Sequence, residues 1–241
     1  MCLFLTNLQA QMEKSQAYWI HEDVVKPSMV GEYEAVLGEF LANLKKFNIQ
    51  DLNFIVTNTD DFRYLYVSPL ENMAQFDRPV FASLAEKMGR DELNALFQRM
   101  DKCYDIEQDY VLTLDNDLSY MPMGITQTPE GRDYRIFHYL YVSPSNRAVV
   151  KEKMMAVKDL FTTKGSKEYY RVYHSGFGTR GEFYMVAVAA KDAVDEAQQA
   201  QANTVLLGAE GKKIFDDLFG SLLKYEQYSG HMRPELYYHP Q

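Results

Sequence analysis

Six residues recur unchanged in this chain: Tyr64-Leu65-Tyr66-Val67-Ser68-Pro69 returns as Tyr139-Leu140-Tyr141-Val142-Ser143-Pro144. Tyr-Leu-Tyr-Val alternates two kinds of side chain with the period of a strand whose faces meet different surroundings. Ser followed by Pro reads as a helix start, because Ser accepts from free helix amides and Pro has no amide to leave unpaired. Longer-range echoes accompany it. An offset of 117 places Trp19-Ile20-His21 on Ile136-Phe137-His138, and an offset of 119 places Met88-Gly89-Arg90-Asp91 on Leu207-Gly208-Ala209-Glu210. Nearly constant offsets across the chain predict a tandem repeat of two units of about 110 residues.

Taken in order, the first unit covers residues 18–114. A strand from Tyr18 to Lys26 precedes a helix introduced by Pro27, whose apolar positions Tyr33, Val36, Leu37, Phe40, Leu41 and Leu44 keep helical spacing. Strands over 51–57 and 62–67, a helical region over 70–104 broken at Gly89, and a strand over 107–114 complete it. Residues 115–133 hold Pro122, Gly124, Pro129 and Gly131 and read as a linker. The second unit, 134–228, repeats the order, and 229–241 is an aromatic tail in which Tyr238-His239-Pro240 echoes Tyr120-Met121-Pro122. The order β-α-β-β-α-β is that of a ferredoxin-like unit. The fold class expected is therefore α+β, two tandem ferredoxin-like units. In such a unit one sheet face is covered by helices and the other is bare. With Leu65, Val67, Leu140 and Val142 turned to the helices, Tyr64, Tyr66, Tyr139 and Tyr141 point away. Each such ring buries roughly 150–250 Å², so the two bare faces are expected to cover each other.

The formal charge of −9, with no Lys/Arg cluster, argues against nucleic acid and anionic membranes as partners. No apolar run is long enough to span a bilayer. Residues 1–17 are read as an N-terminal segment, in which Met1 to Gln11 resembles the end of a signal peptide; the chain is expected to be periplasmic or secreted, with a cytoplasmic location as the alternative. Cys103 falls on the apolar side of a helical pattern and reads as core, and no metal-type cysteine spacing occurs.

Two histidines, His21 and His138, occupy equivalent places on the first strand of each unit. Trp19, His21 and Asp23 share the helix-facing side, where Asp23 could orient the imidazole as a general base. His174, beside Arg171 and Tyr173, is a further candidate. Arg171 is expected inside the barrel, paired with Glu107 or Glu226. No third ligand for a metal is evident, so no metal is expected. Gly176 to Gly181 joins two strands and precedes no helix, which makes it a hairpin rather than a phosphate loop.

Two ferredoxin-like units with sheets face to face resemble the dimeric α/β-barrel superfamily, which includes antibiotic-biosynthesis-type monooxygenases and NIPSNAP-like proteins. Here the dimer would be fused in one chain, over about residues 18–228. The resemblance implies ligand cavities between sheet and helices, lined by Trp19, His21, Asp23, His138 and His174. Haem-degrading members use an Asn, Trp and His set that has no counterpart around Trp19, so no cofactor is expected. The function expected is binding of a small apolar or aromatic molecule. The alternatives are a cofactor-independent monooxygenase or isomerase using His21 or His138, and a non-catalytic structural or interaction protein. An oligomer is compatible with each.

Overall fold

The apolar stripe from Tyr33 to Leu44 does form a helix, and the strands on either side of it enter a closed barrel. The computed structural model describes residues 15–241; the signal-like segment Met1–Gln11 lies outside them. The elements are β1 (Ala17–Val25), α1 (Val30–Phe47), β2 (Ile55–Thr59), β3 (Arg63–Leu70), α2 (Ala82–Met88), α3 (Arg90–Met100) and β4 (Tyr104–Tyr120). They continue with β5 (Tyr134–Val142), α4 (Arg147–Lys164), β6 (Tyr170–Ser175), β7 (Glu182–Ala190), α5 (Ala193–Phe219) and β8 (Lys224–Met232). The strands close in the order β1-β3-β2-β8-β5-β7-β6-β4, and every pairing is antiparallel. Each half of the chain thus contributes four consecutive barrel strands, β4-β1-β3-β2 and β8-β5-β7-β6.

Three apolar clusters follow from this closure. Helices α1, α2 and α3 cover the outside of the first four strands, and α4 and α5 cover the second four. The third cluster fills the barrel, where Tyr18, Leu65, Tyr110, Phe137, Tyr139, Tyr173 and Met185 meet. A tyrosine-rich middle therefore exists, but half of its expected members differ. In β5 the alternation is as expected, with Leu140 and Val142 against helices and Tyr139 inside. In β3 it is reversed: Tyr64 and Tyr66 lie on the helix side, while Leu65 and Val67 face the barrel. The reason is register. His21 stands opposite Tyr66 and Asp23 opposite Tyr64, and opposed residues share a face. The repeated hexapeptide thus lies on non-equivalent strands, β3 and β5, one residue out of phase.

The Ser-Pro signal also divides. Ser68 and Pro69 continue β3, opposite Trp19 and Tyr18. The β2–β3 pairing ends at Ile55 and Val67, so Pro69 sits where β3 has one strand neighbour and its missing amide removes no ladder bond. Ser143 and Pro144 do form a turn before α4. The Ser143 amide donates to Asn146 Oδ1 at 2.7 Å, and the helix begins at Arg147.

Segments expected as linker and tail are structural. β4 runs on to Tyr120, and Leu118 and Tyr120 join the core of the second half. The tail after β8 returns to the first half, where Leu236 and Tyr238 enter the core under α1. The seam between β2 and β8 has only three opposed pairs. At Gly230 an added Cβ would lie 2.2 Å from Asn58 O and 3.0 Å from Thr59 Cα. Gly230→Ala is accordingly expected to cost about 1–3 kcal/mol through forced separation of the strands, read as a lower urea midpoint; an unchanged midpoint would show that the seam yields without cost.

Arg171 is inside the barrel as expected, but without a carboxylate. Its Nη1 donates to the carbonyls of Thr126 and Gln127, each at 2.7 Å. The 121–133 segment lies over this end of the barrel and supplies carbonyls where Glu107 and Glu226 do not reach.

Candidate functional site

Alternation along β1 turns Trp19, His21 and Asp23 toward the helices. β4 runs antiparallel beside it and sets Asp109 opposite His21 and Glu107 opposite Asp23, while β3 sets Tyr66 opposite His21 on the other side. Three strands thereby bring one imidazole among three carboxylates. His21 Nδ1 lies 3.0 Å from Asp109 Oδ1, and its Nε2 lies 3.4 Å from Asp23 Oδ1 and 3.6 Å from Glu107 Oε1. Trp19 Nε1 donates to the same Asp109 oxygen at 2.7 Å. Asp23 is 1% exposed. Its Oδ2 accepts from Tyr33 Oη at 2.6 Å, and the Tyr33 and Tyr66 hydroxyls lie 2.6 Å apart. Asp23 Oδ1 has no partner other than His21 Nε2.

These groups decide each other's charge. Burial opposes a charged His21, but the hydrogen bonds and charges of Asp109 and Asp23 outweigh it, and the pKa is pushed up to about 10. For Asp109, burial works upward, and the bonds from His21 and Trp19 nevertheless hold it below the usual carboxylate value. Glu107 is raised by burial, partly offset by His21. At neutral pH, then, His21 carries a proton and cannot accept one; the general-base role expected of it does not fit its surroundings. Glu107, poised at the mouth, is the group suited to take up a proton.

The cluster forms one end of a cavity of about 320 Å³ whose remaining walls include Leu37, Phe40, Phe54, Phe81, Phe97 and Met100. That volume lies at the low end of small-molecule sites, about 300–1,000 Å³. His21, Asp23 and Glu107 each offer a ligand atom within 4.8 Å of the others. A third metal-type donor beside His21 and Asp23 therefore exists in Glu107, and the set would suit a divalent cation if His21 gave up its proton.

The second half has a cavity in the matching place, about 370 Å³, lined by His138, Leu140, Met154, Phe161, Tyr170, Phe215 and Tyr225 among others. The chemistry differs. β8 sets Gln227 opposite His138 and Tyr225 opposite Leu140. Where the first half has Asp109, Asp23 and Glu107, the second has Gln227, Leu140 and Tyr225. Tyr225 donates to Gln227 at 2.8 Å, and so accepts from His138 Nδ1, also at 2.8 Å. With no carboxylate to hold a proton, burial pushes His138 down to about 4. His21 and His138 occupy the cavities they were expected to line, one charged and one neutral. His174 lines neither; its Nε2 lies 3.3 Å from Glu182, and its ring packs on Tyr184. Glu107 and Asp109 carry no local signal of a site, because only the β1–β4 register brings them to His21.

The two histidines imply opposite pH effects on stability. The folded pKa of His21 is raised, so its contribution is complete below about 6.5 and is lost as pH rises toward about 10. That of His138 is depressed, so its contribution is complete above about 6.5 and is lost as pH falls toward about 4. Urea melts across pH are expected to show the advantage of the native chain over His21→Gln shrinking on the alkaline side. Parallel curves for the two proteins there would contradict the raised pKa.

No protein-family model matches the chain, and no curated protein sequence does. Solved structures do resemble it in shape. An anthrone oxidase-like protein matches with a TM-score of 0.59 at 9% identity, covering 92% of each chain. A candidate monooxygenase from Fusobacterium nucleatum matches at 0.57 and 11% identity, over 92% of this chain and 94% of that one. A mutant chlorite dismutase from Candidatus Nitrospira defluvii matches at 0.55 and 9% identity, over 92% and 94%. At such identities the likeness is one of fold: an eight-stranded antiparallel barrel with helices packed outside it.

Proposed function

We propose that the protein binds a small, largely aromatic molecule in the first-half cavity, with its polar end against His21, Asp23 and Glu107. One observation carries this reading: an aromatic-walled cavity of about 320 Å³ has at its end a charged imidazole paired with a buried carboxylate. A fully packed scaffold would have no use for either. Trp19, the only tryptophan of the chain, lies in this cavity, so its fluorescence reports occupancy directly. Titration with a panel of phenols and aromatic ketones is expected to give saturable changes, weakened when Leu37→Phe narrows the cavity. A flat response across the panel, with no molecule co-purified in native mass spectrometry, would instead leave the interaction-protein reading.

The pairing of a charged His21 with a raised Glu107 favours a second reading, a cofactor-independent monooxygenase or isomerase. Glu107 would take the proton from an enolisable or phenolic substrate, and His21 would stabilise the oxyanion left behind. Two proteins of similar fold, a candidate monooxygenase and an anthrone oxidase-like protein, support the oxygenase form of this reading. His21→Gln that keeps affinity but abolishes turnover would distinguish catalysis from binding alone. We read the two halves as fused ferredoxin-like units; the strand orders β4-β1-β3-β2 and β8-β5-β7-β6 support this.

A further inference from the structure

The barrel interior holds a feature that neither cavity uses. Arg135 on β5 and Arg171 on β6 are 1% and 2% exposed, and both point inward. They stand opposite Ala189 and Ala187 of β7, whose small side chains leave room between them. Buried arginines ordinarily meet carboxylates. Here every hydrogen bond they make goes to a main-chain carbonyl: Arg135 to Gln127, Arg132 and Tyr134, and Arg171 to Thr126 and Gln127. Carbonyls satisfy donors but do not neutralise two charges. Burial first, and the Arg171 charge after it, bring Arg135 down to about 10, against the pull of Tyr237 and Asp133.

Both arginines line a cavity of about 50 Å³ whose walls are mostly apolar, Ile20, Leu65, Phe137 and Met185 included, with Tyr18, Gln127 and Tyr173 among its polar members. Two buried donors at this end have no partner, Nε of Arg171 and Nε2 of Gln127. Two unneutralised cations and two idle N–H donors around a space of that size suit an anion better than a water, which would leave the charge unchanged. We propose that this end of the barrel is a binding site for one small monovalent anion, a halide or a carboxylate no larger than formate, received by Arg171 Nε and Gln127 Nε2 between the two guanidinium groups. The site is separate from the His21 cavity and does not depend on what that cavity binds.

The test is thermal unfolding of the full chain at fixed ionic strength, with sodium gluconate replaced stepwise by sodium chloride, bromide or formate. Gluconate is too large to enter. A saturable rise in Tm of about 3–6 °C is expected with the small anions, and crystals grown in bromide are expected to show an anomalous peak between Arg135 and Arg171. Response to halides but not formate would narrow the ligand to halides; the reverse would narrow it to carboxylates. Gln127→Ala removes one idle donor from an irregular segment and is expected to weaken the response about tenfold in concentration. Equal Tm in gluconate and in every small anion, together with no bromide peak, would overturn the proposal.

Discussion

Asp23→Ala is expected to destabilise the protein by about 3–5 kcal/mol, the usual cost of removing one partner from a buried polar set. Asp23 is almost wholly buried and accepts the Tyr33 hydroxyl, which in turn shares its proton network with Tyr66. Its removal leaves one proton of the hydroxyl pair without an acceptor beneath α1 and takes one of the carboxylates away from His21. Asp23→Asn separates the two effects. It keeps an oxygen for Tyr33 and should cost less, about 1–2 kcal/mol, while still lowering the His21 pKa through loss of charge. Urea melts of the two variants check the ranking. Equal and small losses would show that the hydroxyl chain contributes nothing to the fold.

Tyr238→Ala is expected to cost about 3–5 kcal/mol, as for other buried aromatic truncations. Tyr238 lies in the last few residues of the chain yet is 2% exposed. Its ring packs near Phe54, and its hydroxyl lies 3.0 Å from the Leu44 carbonyl and 2.8 Å from that of Ile49. Leu44 lies in the last turn of α1, which Asn48 ends in a left-handed conformation, and Ile49 follows that cap, so the Tyr238 hydroxyl ties down the end of the helix. Main-chain bonds between Phe54 and Tyr238 extend the sheet outside the named strands. The end of the second half thus closes the core of the first. Tyr120 makes the converse contact, donating to the Ser166 carbonyl beyond α4 at 3.0 Å. Tyr238→Phe should lose only the hydroxyl donor shared by the two carbonyls, about 1 kcal/mol. A chain ending at Tyr237 that melts like the full-length protein would contradict this closure.

Much of this architecture is legible from local pattern. The α1 stripe, β5 from Tyr134 to Val142 and the break at Gly89 between α2 and α3 are written in spacing and backbone preference, and the structure keeps all three. What local pattern lacks is register. Tyr64 and Tyr66 alternate just as Tyr139 and Tyr141 do, and only the pairing of β3 with β1 decides that they face helices. The same deficit hides Glu107 and Asp109, which read as solvated strand residues until β4 sets them beside β1. Ser68-Pro69 shows a second limit. A helix-start signal is equally acceptable at a strand edge with no neighbour to disappoint. Arg171 shows a third, because irregular segments offer carbonyls that no motif announces.

The two halves place a histidine at the same point of the same local scaffold and surround it differently. Asp23, Glu107 and Asp109 hold His21 charged, whereas Leu140, Tyr225 and Gln227 leave His138 neutral. The proposed ligand site depends on that difference, since carboxylates held against its histidine are what the first cavity has and the second lacks. The most direct test is an NMR titration of the imidazole resonances, with His21 and His138 assigned through their Gln variants. His21 should remain protonated through neutral pH and titrate near about 10, and His138 should stay neutral until near about 4. A His21 that loses its proton near the unperturbed value of about 6.5, alongside an unshifted His138, would contradict the electrostatic division on which the site rests.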